Sequence, residues 1–311
     1  MEYKHGEQLL GWGTSASHGA EIWDAKPLFV GDMITWKDRL MLLFYPKKFF
    51  LYRFIGKAKR QKGKEVNLLK EPFRILDVGC GTGAAMVDMK KLYGRTCDVF
   101  GVDVIRMQID IARNKMKSYG VWPHIKWYDG VHLPFGNKRF DAIYCSDVLG
   151  HVEDVPAWLK ELSSVLRPGG VVAMFSESKL GKHAYIRNYF MKRGLNTDPH
   201  AEYHISLYSK SELTALFKKA GLDIVTMRSS YWAKFFVHPD ELYEALQGQK
   251  KFIFWKILNR LLYSLKKKTA PYSLALAELY GLFDMMTLGR WVESQGYVIL
   301  AKKQRGKKSR K

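Results

Sequence analysis

Apolar residues in this chain come in short dense runs separated by stretches of helical spacing. Seven runs read as strands, because β-branched and apolar residues dominate them and turn residues bound them: Arg74–Val78, Val99–Val102 ending on Asp103, His124–Tyr128, Phe140–Cys145, Val171–Phe175, Leu222–Met227 and Gly296–Ala301. Between them the period becomes helical. Ala84–Val87 opens a helix, and Ile105–Tyr119 keeps Ile105, Ile109 and Ala112 on one face. Pro156–Leu166 is amphipathic and is stopped by Arg167-Pro168-Gly169-Gly170. Ser209–Ala220 offers Ser211 as N-cap and Gly221 as C-cap. Strands alternating with helices call for an α/β, Rossmann-like doubly wound sheet, mostly parallel and covered on both faces.

The first turn of this unit is its most distinctive stretch. Gly79, Gly81 and Gly83 alternate between the strand ending at Val78 and the helix opening at Ala84. Glycines let the backbone approach a ligand, and a helix start presents unpaired N–H groups to an anionic group. Taken alone, Gly79-x-Gly81-x-x-Ala84 also fits a relaxed dinucleotide pattern.

Two flanking stretches follow a different pattern. Leu40–Tyr45, Pro46 and Lys47–Ile55 interleave aromatics with Lys and Arg, which suits a membrane-surface or lid helix, or a helix whose apolar side packs on the core. Gly56–Lys64 reads as a basic exposed linker. In Gln249–Lys268 the polar positions Lys256, Arg260, Ser264 and Lys267 form a narrow stripe, and Phe252, Ile253, Trp255, Leu258, Leu261, Leu262 and Leu265 cover the rest. This helix suits either an anionic lipid surface or a lid packed on the core.

Charge sharpens the division. The net charge of +21 over 311 residues is carried by residues 47–64, 250–268 and 302–311, which hold eight, seven and seven Lys/Arg and no acid. The remainder is close to neutral, so the charge bears on partners rather than on the fold. No run approaches the roughly 18 apolar residues of a membrane span, and no secretory leader is visible in Met1–Leu10. Cys80, Cys97 and Cys145 form no C-x-x-C pair, so neither a metal site nor a disulfide framework is expected, and a cytoplasmic setting is.

The ordered blocks ILDVGCGTG at 75–83, GVD ending at Asp103, YDGVHLPF at 128–135, RFDAIYCSDVLGHVED at 139–154, LRPGG at 166–170 and YSKSEL with AGLDIV at 208–225 carry a resemblance. Together they are similar to the class I S-adenosylmethionine-dependent methyltransferases, most of all the branch acting on small molecules, quinone precursors and lipids. The resemblance implies strand order 3-2-1-4-5-7-6 with strand 7 antiparallel, and S-adenosyl-L-methionine as cofactor. It implies Asp103 on the ribose hydroxyls, Asp77 and the glycines Gly79, Gly81 and Gly83 at the methionyl part, and Asp129, Gly130 and Val131 at the adenine. Cys80, Val104, Met107 and Ser146 complete the expected cofactor contacts, with Asp147 beside Ser146 on the floor. His151 and His204 match family histidines, and each is either a base or orienting group for the acceptor or a packed structural histidine.

The chain departs from the family in two insertions, 179–208 and 231–295, both leaving from carboxyl ends of strands, where ligands of such sheets bind. The expected organisation is therefore an N-terminal lid or linker segment at 1–71, a core at 72–230 plus 296–302, a substrate lid from the two insertions, and a basic tail at 303–311. The expected activity is methyl transfer to a hydrophobic small-molecule or lipid-linked acceptor, with peripheral contact to an anionic membrane. An RNA methyltransferase and a non-catalytic cofactor-binding or scaffold protein are the rivals.

Overall fold

The computed structural model describes residues 24–65, 71–137, 139–198, 201 and 203–305. Residues 1–23 of the N-terminal segment and 306–311 of the tail lie outside the described residues. Seven strands, β1 Phe73–Val78, β2 Cys97–Asp103, β3 His124–Trp127, β4 Phe140–Ser146, β5 Leu166–Ser176, β6 Leu222–Ser230 and β7 Gln295–Lys303, form one sheet. Its order is β3-β2-β1-β4-β5-β7-β6, with β7 antiparallel to both neighbours. This is the topology that the motif blocks imply.

Side chains alternate across the sheet with period two, as strand geometry requires. Phe73 and Ile75 of β1, with Val171, Ala173 and Phe175 of β5, enter one core. Leu76 and Val78, with Val172 and Met174, enter the other. The first core is covered by α2 Pro46–Glu65, α3 Ala84–Tyr93 and α4 Arg106–Ser118. The second is covered by α5 Val155–Val165 and α7 Lys210–Lys219. A short helix, α1 Trp36–Met41, precedes α2, and α6 Tyr185–Met191 lies in the first insertion. The second insertion holds α8 Lys234–Val237, α9 Tyr243–Gln247, α10 Ile253–Lys268 and α11 Tyr272–Met286.

Three local expectations are corrected. Gly56–Lys64 is the second half of α2, not a linker, and α2 lies on the sheet with Phe50, Leu51, Tyr52 and Ile55 buried. Lys, Arg and Gln are good helix formers, and the docked apolar face outweighs the cost of Gly56, about 1 kcal/mol relative to Ala. Strand five starts at Leu166, because Arg167–Gly170 forms an irregularity between the pairs Phe140↔Leu166 and Ala142↔Val171. Ser209, not Ser211, caps α7: its hydroxyl accepts from Glu212 N, and the Glu212 carboxylate accepts from Ser209 N at 2.7 Å.

The segment before α2 is tied to the sheet by one acid. Asp88, buried on α3, accepts from the backbone N–H groups of Leu28 and Phe29 at 2.6 and 3.1 Å, from Lys48 at 3.1 Å and from the Tyr52 hydroxyl at 2.9 Å. Four donors satisfy a carboxylate that burial alone would penalise.

Candidate active site

A cleft of about 940 Å³ opens over the carboxyl ends of β1, β2, β4 and β5. One wall is the glycine turn. Gly79, Gly81 and Gly83 all have positive φ, and a Cβ on Gly79 would stand 2.3 Å from a methyl carbon of Val148. Only glycine fits there. Asp103 closes the wall: its carboxylate accepts from Gly81 N at 2.8 Å and from Ile105 N at 2.9 Å. Burial pushes it above the usual carboxylate range, and those N–H groups pull it partly back. Behind the turn, Asp77 is buried with Oδ2 unpartnered. Burial first, and the Asp103 charge second, raise its carboxyl well above the ordinary value.

Of the residues expected at the cofactor, Gly79, Gly81, Asp103, Val104, Asp129, Gly130, Val131 and Ser146 line the cleft. Two others stand off the lining: the Cys80 side chain is buried among core residues with its thiol pushed up by burial, and Met107 is not on the cleft wall, where Ile105 and Gln108 stand. Asp77 and Gly83 lie just behind the lining. Asp129 Oδ1 accepts from Val131 N and His132 N, and its Oδ2 meets the His132 ring at 2.8 Å. Its turn already engages both oxygens.

The opposite wall is made of charge. Asp147, in a left-handed conformation at φ 59°, receives the Lys47 ammonium at 2.9 Å from the start of α2. Burial opposes the charge on Lys47, but Asp147 more than offsets it and holds the ammonium above its ordinary value. For Asp147 burial acts upward, and Lys47 overrides it downward. Glu177, at the end of β5, is pushed up to about 8 by burial and by the neighbouring Asp147 charge. Two adjacent carboxyls are thus poised apart, one ionised and one holding its proton at neutrality.

His151 and His204 meet here, with ring centroids 5.1 Å apart. Nδ1 of His151 lies 2.8 Å from the carbonyl of Tyr203, and Nδ1 of His204 lies 2.7 Å from Asp198. A carbonyl only accepts, so Nδ1 of His151 carries a proton and Nε2 is its basic nitrogen in the neutral ring. Ligand atoms of His151, His204 and Glu177 lie within 4.8 Å of one another, a donor set that could hold a divalent cation.

The insertions supply the rim. Phe190 and Leu195 from the first and Phe235, Leu242 and Leu246 from the second share one small core. From these segments Arg187, Tyr231, Lys234 and Glu241 reach the cleft, with Lys234 paired to Glu241. Burial pulls Lys234 below its ordinary value and Glu241 partly restores it. Sequence reading missed Lys47, Glu177, Arg187, Lys234 and Glu241, because no local motif marks them and only the fold gathers them.

Residues 50–227 match the family model of a methyltransferase domain, more than half of the chain. The chain belongs to this methyltransferase family. It is 31% identical over 158 residues to the methyltransferase GfsG of Streptomyces halstedii, covering 50% of this chain and 54% of that one. It is 29% identical over 180 residues to a demethylmenaquinone methyltransferase of Staphylococcus saprophyticus, covering 53% and 76%. The match thus spans only about half the length of the Streptomyces relative. A Galdieria sulphuraria structure described as a sarcosine dimethylglycine methyltransferase superposes with TM-score 0.50 at 17% identity, over 91% of this methyltransferase and 96% of that chain. At that identity the likeness is one of fold.

The methyl donor of class I methyltransferases is S-adenosylmethionine, and the residues present fit it. The orphaned Asp77 Oδ2 suits an ammonium, the glycine turn brings bare backbone at Gly79 and Gly81 to the cleft wall, and Asp103 faces the cleft where two hydroxyls can be received. When bound, the donor supplies a methyl carbon on a positively charged sulfur, already activated for in-line displacement. What remains for the protein is to align an acceptor, exclude water and take a proton where the acceptor has one.

Proposed function

We propose that this chain transfers a methyl group from S-adenosylmethionine to a hydrophobic small-molecule or lipid-linked acceptor held under the lid formed by residues 179–208 and 231–295. The observation that carries this reading is the continuity of the cleft: one cavity runs from the glycine turn and Asp103 to His151, Glu177, His204 and the insertion residues. Demethylmenaquinone, the acceptor in the name of the Staphylococcus relative, is of the same apolar class. The His151 and His204 imidazoles are the groups that would take a proton from the acceptor, and Glu177, protonated at neutrality, stands beside them as a hydrogen-bond donor.

The acceptor reaches this cleft from a membrane. No helix among the described residues is long and apolar enough to cross one. The outward faces of two lid helices are apolar nonetheless: Phe254, Ile257, Leu261 and Leu265 on α10, and Tyr272, Leu276, Phe283 and Met286 on α11. Lys250 and Lys251 precede α10, and Lys267 and Lys268 end it. Apolar stripes edged with lysine suit the interface of an anionic leaflet. The inward face of α10 has another role, since Trp255, Leu258 and Leu262 pack against the small core shared by the two insertions. Three buried free thiols fit the reducing, cytoplasmic side. The RNA rival is weakened because Lys47, Lys48 and Lys62 are engaged by Asp147, Asp88 and Asp141.

Transfer of labelled methyl to separated lipid, RNA, protein and small-molecule fractions of a cell extract tests the reading. Label in the lipid or apolar small-molecule fraction is expected. Label confined to RNA would overturn the acceptor class, and no label in any fraction would favour the non-catalytic rival.

A further inference from the structure

A second cleft, of about 1090 Å³, lies away from the cofactor turn, between α2, the edge strand β6 and the end of α11. Its charged lining is entirely cationic: Arg53, Lys57 and Arg60 from α2, Arg228 from β6, and Arg290. Among the described residues none of the five forms an ion pair. Its floor is apolar, with Phe50, Phe54, Met227, Met286 and Leu300.

Arg228 is the centre of this groove. Its guanidinium lies 5.2 Å from the Phe50 ring centroid and donates to the Met285 and Met286 carbonyls at 2.7 and 3.1 Å, while Nε is buried without a partner. Burial, then Arg290 and Arg53, disfavour its charge. A fold that gathers like charges around an unsatisfied buried donor leaves a defect that a bound anion removes. Planar guanidiniums on several sides match the oxygens of a phosphate.

We propose that this groove binds the phosphate headgroup of an anionic phospholipid, whose acyl chains continue onto the apolar outward face of α11. That continuity is on the molecule: Met286 belongs both to the groove and to the exposed stripe with Phe283 and Leu276. The lipid assignment follows from the floor, since a nucleic acid backbone gains nothing from Phe50, Met227 and Leu300. The inference rests on the membrane docking proposed above and deepens it. The groove seats a headgroup beside the lid, and methyl transfer remains in the other cleft.

The test uses the full chain and three probes: inorganic phosphate, a short-chain phosphatidic acid below its micelle concentration, and single-stranded RNA. Binding is read by calorimetry, alongside co-sedimentation with neutral and phosphatidylglycerol-containing vesicles. The short-chain lipid is expected to bind at least tenfold more tightly than inorganic phosphate. Arg228→Gln should lose tenfold or more of that affinity. Because Arg228 also holds the end of α11, the pair Arg53→Gln with Arg290→Gln, both exposed, provides the same readout without that risk. The melting shift given by S-adenosylmethionine should be unchanged in both. Equal affinity for phosphate and lipid, or RNA binding that is tighter and lost in the same variants, would overturn the lipid assignment. Vesicle binding by the wild type that survives both sets of substitutions overturns the groove and leaves membrane docking standing. No vesicle binding by the wild type overturns the docking itself.

Discussion

The two walls of the methyltransferase cleft are built by different means. The wall proposed for the cofactor is backbone and buried carboxylate: a three-glycine turn, N–H groups on Asp103, and Asp77 behind it, all within 27 residues of chain from 77 to 103. The charged wall is side-chain charge drawn from distant segments: Lys47 from α2, Asp147 after β4, Glu177 after β5, and Lys234 and Glu241 from the second insertion. Backbone geometry permits few substitutions. Paired side chains can be exchanged, which is how one sheet can serve a changed acceptor while its donor site stays fixed.

The comparison breaks most sharply at the cofactor wall. Asp103→Ala would remove the acceptor proposed for two ribose hydroxyls, and a hydrogen bond to a charged group is worth roughly 1.5–3 kcal/mol. Affinity for S-adenosylmethionine should fall roughly 100-fold or more, and Gly79→Ala should match it, since its Cβ would clash with Val148 at a positive φ. Calorimetry and the ligand-induced melting shift measure both. A variant at Asp103 that binds the donor normally would remove Asp103 from the ribose.

The charged wall, rimmed by the two insertions proposed as a lid, should fail differently. Phe190 is fully buried and packs against Phe235, Phe252 and Trp255 at centroid distances of 5.2–6.3 Å. Phe190→Ala should cost that small core about 3–5 kcal/mol. Methyl transfer should drop roughly tenfold or more as the lid loosens, while donor affinity stays within about twofold. Limited proteolysis should cut first within 179–208 or 231–295. Equal losses in donor binding and transfer would show that the walls are one unit.

How much was legible follows the same line. The strands and the glycine turn were readable because each is set by residues adjacent in sequence, whereas the strand order and the role of Asp103 came only with the family resemblance that the motif blocks carry. Position in a motif does not say which way a side chain turns: Cys80 Sγ sits among core residues against Gly101, and Met107 stands off the cleft lining. Gly56–Lys64 was misread as a linker because nothing local shows that Gly56 packs on Tyr93, whose hydroxyl donates to the Tyr52 carbonyl at 2.6 Å. Glu177 had no signal at all. Its character comes from burial beside Asp147, and that pair exists only in the folded chain.

Glu177 gives the smallest and most specific test of the charged wall. Its carboxyl stands at about 8 in the folded protein, against an ordinary 4.5. A raised acid keeps its proton in the native state while the unfolded chain has already lost it, so stability falls as pH rises between those two values. Below pH 4.5 this group contributes no slope, and above about 8 the loss is complete. Glu177→Gln replaces the protonated carboxyl with a neutral group of the same shape. The variant should therefore melt close to the wild type near pH 5 and above it by pH 8 to 9, by a few degrees. The magnitude is tempered because Asp147 and Lys47 readjust when Glu177 changes. Melting curves of both proteins at half-unit intervals from pH 5 to 9 measure the difference. A constant gap across that range would mean that Glu177 titrates as an ordinary surface acid. The two carboxyls of the charged wall would then not be poised apart, and Glu177 would stand ionised beside Asp147 at neutrality instead of holding its proton.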